Sequence, residues 1–235
     1  MKKLFIHIPK NGGMTIRWPT LSGPLKPYVQ IVDRTNLKSG HYIDNVKRKM
    51  IETGHTRDPG LEHGRWRDVH PDVTSKMTAF AIARNPWDRV VSKYWFAYKG
   101  RFVEKNLPED YVDVSSFEAF LEERHKWVDV EYMWHRAIRH WRPVYDHVCD
   151  ENDIVKCDIL RLEHLNDEIC KYLGIEEMTR ARNVTDVNKK TYQEMYTPQT
   201  IQIVADWYQK DIDYWGYDFD SSATKNYWAL SKVEK

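Results

Sequence analysis

A lysine and two glycines stand directly after a short apolar run near the N-terminus. The run is Leu4-Phe5-Ile6-His7-Ile8, followed by Pro9-Lys10-Asn11-Gly12-Gly13-Met14-Thr15. An apolar run ended by proline and glycines predicts a buried strand, a tight loop and a helix. Glycines let successive N–H groups turn toward one oxyanion, and a helix start and Lys10 add positive charge. The pattern indicates a phosphate or sulfate site, although a plain strand-turn-helix corner fits the same residues.

The loop differs from the phosphate loop of ordinary kinases. That loop reads G-x-x-x-x-G-K-(S/T), with its lysine after the second glycine, whereas Lys10 precedes both glycines here. The order of residues therefore argues against an ordinary kinase of this class.

A second group of polar residues follows another apolar run, Met77–Ala83. Arg84 stands at the end of this predicted strand, and Ser92 follows about two helical turns later. Arg84 offers a bidentate fork and Ser92 a hydroxyl, so the two can clamp a second phosphate if the helix leans back across the strand end. The alternative for Ser92 is an ordinary surface serine.

Together the two motifs resemble the sulfotransferase superfamily, specifically the branch of heparan sulfate and other carbohydrate O-sulfotransferases. The first is similar to the 5′-phosphosulfate loop of that branch, commonly written HIPKTGGTS, and the second to its 3′-phosphate motif, R-(D/N)-P-x-x-R-x-x-S. Their order and separation also match. Weaker resemblance extends over Ile159–Leu165, Leu173-Gly174 and Tyr208–Tyr217. Met14 departs from the pattern, because the family usually has a hydroxyl there; backbone N–H groups and Thr15 are expected to compensate.

The resemblance implies one sulfotransferase domain over residues 1–235 that binds 3′-phosphoadenosine 5′-phosphosulfate (PAPS) and releases adenosine 3′,5′-bisphosphate. It implies that the first motif holds the 5′-phosphosulfate and that Arg84 and Ser92 hold the 3′-phosphate. Lys189 and Lys190 lie in a stretch that closes over the cofactor in related enzymes, although a solvated charged surface fits them equally. The cofactor-binding residues of the first motif are then Lys10, Asn11, Gly12, Gly13, Met14 and Thr15.

Sulfuryl transfer depends on positioning and on stabilising charge at the leaving group, and Lys10 is placed to neutralise the bridging oxygen. The acceptor hydroxyl also needs a base. Our candidate is His55, which follows Gly54 between the two motifs, where related glycan O-sulfotransferases carry a catalytic histidine. A turn histidine is the alternative reading, and the other candidate bases are Glu52, Glu62 and His63. We expect His7 to be a satisfied core histidine that shapes the loop.

The acceptor is expected to be a hydroxyl group, carried by a saccharide. Its pocket should come from the irregular stretches Leu21–Lys38 and Thr56–Thr74 and from the tryptophans Trp127, Trp134 and Trp141. No metal is expected, because His55, His63 and His70 match no standard zinc spacing. The rival functions are an atypical nucleotide or small-molecule kinase, which should need Mg²⁺ and a carboxylate ligand, and a non-catalytic nucleotide- or glycan-binding module.

The elements that must position these residues alternate between strands and helices. This order predicts an α/β fold with a mostly parallel β-sheet flanked by helices, the P-loop-like sulfotransferase fold, with ligands beyond the carboxyl ends of the strands. Asn85 and Pro86 are predicted to start a helix. One or two short strands are expected between Asp153 and Leu160. The other predicted helices are His41–Glu52, Ser116–Arg124, Tyr132–His140, Leu165–Leu173 before Gly174, and Pro198–Tyr208.

Bulk composition restricts the partners. Lys plus Arg number 36 against 35 Asp plus Glu, so the charge gives no reason to expect nucleic-acid binding, and an anion site must be local. No apolar run reaches the roughly 20 residues that span a bilayer, and no signal-peptide pattern follows Met1, so we expect a cytoplasmic protein. Three cysteines without a CxxC pair indicate buried thiols in a reducing compartment.

Overall fold

A computed structural model of the chain describes residues 1–38, 44, 48, 61–105, 112–127, 140–177 and 191–233. Its centre is a sheet of four parallel strands in the order β2-β1-β3-β4. The strands are β1 (Lys3–Ile6), β2 (Val29–Ile31), β3 (Ala79–Ala83) and β4 (Cys157–Arg161). Because all four run the same way, their carboxyl ends meet at one edge of the sheet. The predicted parallel sheet is confirmed.

Helices connect and cover the strands. They are α1 (Met14–Ser22), α2 (Pro71–Thr74), α3 (Pro86–Tyr98), α4 (Phe117–Trp127), α5 (Val144–Val148), α6 (Leu165–Leu173), α7 (Pro198–Trp207), α8 (Gln209–Trp215) and α9 (Leu230–Val233). A π-helical turn at Lys99–Val103 extends α3. Short 3-10 turns lie at Leu61–His63, Trp66–Asp68, Leu162–His164 and Tyr192–Met195.

The sheet is buried on both faces, because alternate residues of each strand point to opposite sides. Leu4, Ala79 and Ala81 belong to one apolar core, which also contains side chains of α3, α4, α5, α7 and α8. Phe5 and Phe80 belong to a second core on the other face, with side chains of α1 and α6. Continuous apolar runs such as that of β3 are typical of strands buried in this way. The predicted α/β architecture is therefore confirmed.

The start of α3 follows the predicted pattern. Asn85 Oδ1 accepts hydrogen bonds from the N–H groups of Trp87 (3.0 Å) and Asp88 (3.4 Å), and the proline after Asn85 takes the first helical position. The amide nitrogen of Asn85 donates to the carbonyls of Asp218 (3.0 Å) and Ser221 (2.9 Å). One buried side chain thus caps the helix and also fixes the chain after α8.

One expectation about strands was wrong, and another is confirmed. The stretch Leu21–Lys38 was expected to be irregular, yet it contains β2. A three-residue edge strand that follows two prolines is too short to show a period, and its pairing with β1 stabilises it. Of the one or two short strands expected between Asp153 and Leu160, one is confirmed as β4, while Val155 makes only an isolated antiparallel bridge to Cys149.

The other predicted elements have three outcomes. The helices predicted at Ser116–Arg124 and Leu165–Leu173 are confirmed as α4 and α6, and Gly174 ends α6 with φ 66°. The last predicted helix is α7, but the chain then turns into a separate helix, α8, that was not predicted. The predicted helices His41–Glu52 and Tyr132–His140 lie almost entirely outside the described residues.

The three cysteines, Cys149, Cys157 and Cys170, are free thiols, and the first two are buried. Within the described part of the chain, every helix is too short or too polar to cross a membrane.

Asn85→Ala should lower the free energy of unfolding by about 2 kcal/mol, because it removes a helix cap and two buried hydrogen bonds. Ser116→Ala is the matched control. Ser116 Oγ accepts from the N–H of Ala119 at the start of α4, but this cap is exposed, and its loss should cost about 1 kcal/mol or less. Urea denaturation of both variants measures the difference. Equal losses would contradict the double role of Asn85.

Candidate functional site

The site lies where β1 and β3 end side by side. The loop from His7 to Gly13 follows β1, and Arg84 follows β3. Asn11, which is buried, donates from its side-chain amide to the carbonyl of Ile82 at 2.7 Å and so fastens the loop to the end of β3. The strand order places the two predicted motifs next to each other, because β1 and β3 are neighbours in the sheet.

Three consecutive carbonyl groups of the loop accept hydrogen bonds. The carbonyl of Ile8 accepts from the N–H of Asn11 (3.4 Å), that of Pro9 from Arg89 Nε (3.2 Å), and that of Lys10 from Arg84 Nη1 (2.9 Å). Two of the three donors are arginine side chains that come from the end of β3 and from α3. The carbonyl oxygens are therefore turned away from any anion at the mouth of the loop.

The N–H groups that follow are left as donors. Among the described residues, those of Gly12, Gly13 and Met14 have no acceptor, whereas the N–H of Thr15 donates to the carbonyl of Gly12 at 2.9 Å. These donors stand at the start of α1, where the helix adds partial positive charge. Met14 thus contributes its backbone, but the N–H of Thr15 is already bonded and cannot replace the missing hydroxyl donor.

The glycines are required by close contacts as well as by conformation. Gly12 has φ 71°, a left-handed conformation that side chains disfavour, and Lys10 also has a positive φ of 65°. A Cβ atom at Gly13 would overlap the imidazole ring of His7, and one at Gly12 would crowd Leu162. The ring of His7 thus lies directly beneath the loop and shapes it.

Lys10 is half-buried, and its Nζ lies 4.2 Å from the centroid of the exposed ring of Phe96 on α3. Burial, and to a lesser degree the charge of Arg84, lowers the pKa of Lys10 to about 7. A bound anion would favour the ammonium form and restore the charge. Lys10 therefore supplies a cation whose charge responds to what occupies the loop.

Arg84 does not present its fork to solvent. Its Nε and Nη2 donate to the two carboxylate oxygens of Asp88 at 2.7 and 2.8 Å, while Nη1 holds the carbonyl of Lys10. Both terminal nitrogens keep a second hydrogen that can point toward a phosphate. Ser92 is half-buried on α3, one turn before Phe96. The side chain of Lys10 therefore reaches the same face of α3 that carries Ser92.

Two further histidines meet at the base of the loop. His63 Nδ1 lies 2.8 Å from the carbonyl oxygen of His7, and the two rings are 4.4 Å apart. Glu62 Oε1 lies 4.0 Å from His63 Nε2. Burial, and then the charges of His63 and Arg17, hold the pKa of His7 well below its usual value, so His7 is neutral. Its Nδ1 has no hydrogen-bond partner among the described residues, so His7 is packed but not fully satisfied.

Several predicted site residues cannot be placed. His55, Lys189 and Lys190 lie outside the described residues.

Trp141, which was expected in the acceptor wall, is only 3% exposed and packs against Phe120 inside the core. His70 accepts a hydrogen bond from the N–H of Asp72 at the start of α2. Within the described ranges, no three His, Cys, Asp or Glu side chains come together to hold a metal ion.

Sequence reasoning missed two residues that shape the loop. Arg89 stands inside the second motif, one turn after Asn85, and its place in that motif was the available signal. Phe96 gave no such signal, because its contact with Lys10 depends on how α3 lies across the loop. Both contacts are tertiary and follow from the neighbouring positions of β1 and β3.

Comparisons with known proteins identify the family of the chain. The family model described as "Sulfotransferase family" matches residues 2–218. A solved structure, the sulfotransferase from Alicyclobacillus acidocaldarius, is 13% identical, and the match covers 91% of this chain and 93% of that chain with a TM-score of 0.43. A comparison with curated protein sequences found no relative. Since the family model spans most of the chain, including both strand-end motifs, this protein belongs to the sulfotransferase family.

Proposed function

We propose that the protein moves a sulfuryl group from PAPS to a hydroxyl group of a saccharide. Membership of the family supports sulfuryl transfer, and the donor and the acceptor are our proposal. The observation that carries it is the loop after β1. Three consecutive carbonyl oxygens of this loop already accept hydrogen bonds from the protein, and the amides of Gly12, Gly13 and Met14 lie beside Lys10. Such a set of donors suits a phosphosulfate.

The two strand ends provide two places for phosphate. The amides of the loop and Lys10 would hold the 5′-phosphosulfate, with Asn11 and Thr15 keeping the loop in place. The 3′-phosphate would lie at Ser92 and at the second hydrogens of Arg84, because both residues stand on the neighbouring strand end and helix. Lys189 and Lys190 complete the proposed cofactor site as a segment that closes over the nucleotide.

The transfer requires an in-line displacement at sulfur. The acceptor oxygen forms the new S–O bond, the bond between sulfur and the 5′-phosphate oxygen breaks, and adenosine 3′,5′-bisphosphate leaves. Lys10 neutralises the charge that develops on the leaving oxygen. The proton of the acceptor hydroxyl passes to a base, which we assign to His55, with the pair Glu62 and His63 as the alternative beside the loop.

A saccharide acceptor is favoured by the exposed ring of Phe96. Its side chain is 42% exposed although it is large and apolar, and it lies beside Lys10, where the acceptor must approach. Aromatic rings commonly pack against the apolar faces of sugar rings. Phe96 would thus provide one wall of the acceptor site, and the stretches Leu21–Lys38 and Thr56–Thr74 would provide the rest.

Calorimetry with nucleotides tests the cofactor, and a sulfate-transfer assay with a panel of saccharides tests the reaction. Adenosine 3′,5′-bisphosphate should bind at least about tenfold more tightly than adenosine 5′-monophosphate. Ser92→Ala should reduce this ratio and leave the affinity for the monophosphate unchanged, because Ser92 contacts only the 3′-phosphate. Ser75→Ala, an exposed serine, is the control.

The same experiments separate the rival functions. Phosphate transfer from ATP with Mg²⁺, without transfer from PAPS, would indicate the atypical kinase. Binding of adenosine 3′,5′-bisphosphate without sulfation of any saccharide would indicate the non-catalytic module. A nucleotide preference that Ser92→Ala leaves unchanged would contradict the proposed 3′-phosphate site.

Lys10→Met should lower kcat by about 10²–10³-fold, because the leaving oxygen loses its charge partner in the transition state. The affinity for adenosine 3′,5′-bisphosphate should fall by about tenfold or less, since the backbone donors remain. Lys26→Met, an exposed lysine on the chain after α1, is the matched control and should leave both values unchanged. Equal turnover of the two variants would remove Lys10 from the mechanism.

The pH profile of kcat/KM for PAPS should fall above about pH 7, because the ammonium form of Lys10 is lost as pH rises through its pKa of about 7. It should also fall at acidic pH as the histidine base takes up a proton. Lys10→Arg should flatten the alkaline limb, since arginine does not titrate there. The acidic limb should disappear in His55→Ala rather than in His63→Ala. A rate that stays constant from pH 7 to pH 9 would contradict the role of Lys10.

A further inference from the structure

Two basic side chains lie wholly inside the larger apolar core, behind the loop. Arg89 and Lys93 stand one turn apart on the same face of α3, and both are 0% exposed. Basic side chains are almost never fully buried unless they are paired, since burial of an unpaired charge carries a large desolvation penalty. Their surroundings therefore call for an explanation.

The ends of the Arg89 and Lys93 side chains both reach the backbone and ring at residues 141 and 142. Arg89 Nη1 donates to the carbonyl of Arg142 at 2.8 Å, and Lys93 Nζ lies 3.3 Å from the centroid of the ring of Trp141, the preceding residue. Arg89 Nη2 and Lys93 Nζ have no hydrogen-bond acceptor among the described residues. Two basic side chains thus converge on residues 141 and 142, and each keeps a nitrogen without a hydrogen-bonded anion among the described residues.

Two more unpartnered polar side chains border this place. His147 on α5 is 0% exposed, and neither ring nitrogen has a partner among the described residues. Its ring lies 4.8 Å from that of His140, and burial, and then the charges of Arg89 and Arg142, hold the pKa of His147 well below its usual value. The ring of Tyr208 lies 5.7 Å from Arg89 Cζ, and its hydroxyl has no described partner either.

The buried carboxylate of this region is engaged elsewhere. Asp211 accepts hydrogen bonds from the N–H groups of Val144 and Tyr145, both at 2.8 Å, and so caps the start of α5. Its charge interacts with that of Arg89, but it makes no hydrogen bond to Arg89 or Lys93 in the described structure. The donors around residues 141 and 142 therefore exceed the acceptors by several groups.

We propose that Arg89, Lys93, His147 and Tyr208 enclose a binding site for a small monovalent anion of the size of chloride. Every free group there can donate a hydrogen bond, and Arg89 is permanently charged, so the set of side chains suits an anion. Full burial excludes a large organic anion. The site is separate from the loop, whose donors are the amides of Gly12, Gly13 and Met14.

An anion there would explain how Lys93 is accommodated. Burial, and then the charge of Arg89, lowers the pKa of Lys93 well below its usual value, so its surroundings disfavour the ammonium form. A bound chloride would stabilise the ammonium form. It would also fix Arg89, whose Nε holds the carbonyl of Pro9 beside Lys10. The anion site would thus support the shape of the donor loop from behind.

Thermal unfolding in chloride and in gluconate, at equal ionic strength, tests the site in solution. Gluconate is too large to enter, so chloride should raise the Tm of the wild type by about 2–4 °C. Lys93→Met should abolish this rise. Two matched controls should retain it: Lys10→Met, which changes the loop, and Lys76→Met, which removes an exposed lysine. Equal Tm values of the wild type in the two salts would overturn the proposal.

Crystals of the wild type soaked in bromide give a second reading that does not depend on the folding of any variant. An anomalous peak within hydrogen-bonding distance of Arg89 Nη2 and Lys93 Nζ is the expected result. A water molecule or an empty space there, with bromide bound elsewhere in the same crystal, would overturn the proposal.

Discussion

The site depends on the hydrogen bonds that hold three consecutive carbonyls of the first loop. The backbone of Asn11 and the side chains of Arg89 and Arg84 bind the carbonyl oxygens of Ile8, Pro9 and Lys10. If these oxygens faced the mouth of the loop, they would repel an anion. Since they are bonded away, the amides that follow can serve as donors, and the positive φ values of Lys10 and Gly12 belong to the same arrangement.

Both arginines reach the loop because β1 and β3 are neighbours in a parallel sheet. Their carboxyl ends lie at one edge, so the chain leaving β3 enters α3 directly beside the chain leaving β1. The cap at Asn85 fixes where α3 begins, and this start determines where Arg89, Ser92 and Phe96 lie. The helix cap at Asn85 and the two arginines that bind the loop carbonyls, Arg84 and Arg89, therefore lie within one short segment.

Local patterns predicted the parts of the fold that local physics determines. The loop after β1, the Asn85 cap and the end of α6 at Gly174 each depend on residue types at fixed spacing. β2 was missed because three residues after two prolines show no period. Arg84 and Asp88 stand four residues apart, a spacing that permits an ion pair on a helix. The spacing does not show whether the guanidinium group of Arg84 binds Asp88 or a phosphate. Contacts such as Lys10 with Phe96 exist only after the sheet has formed.

We propose that the first loop is a preformed anion site whose charge Lys10 completes. A crystal structure with adenosine 3′,5′-bisphosphate tests this most directly. We predict that the 5′-phosphate accepts hydrogen bonds from the amides of Gly12, Gly13 and Met14, with the carbonyls of Pro9 and Lys10 still bound to Arg89 and Arg84. A nucleotide bound away from this loop, or a loop whose carbonyls turn toward the phosphate side, would contradict it.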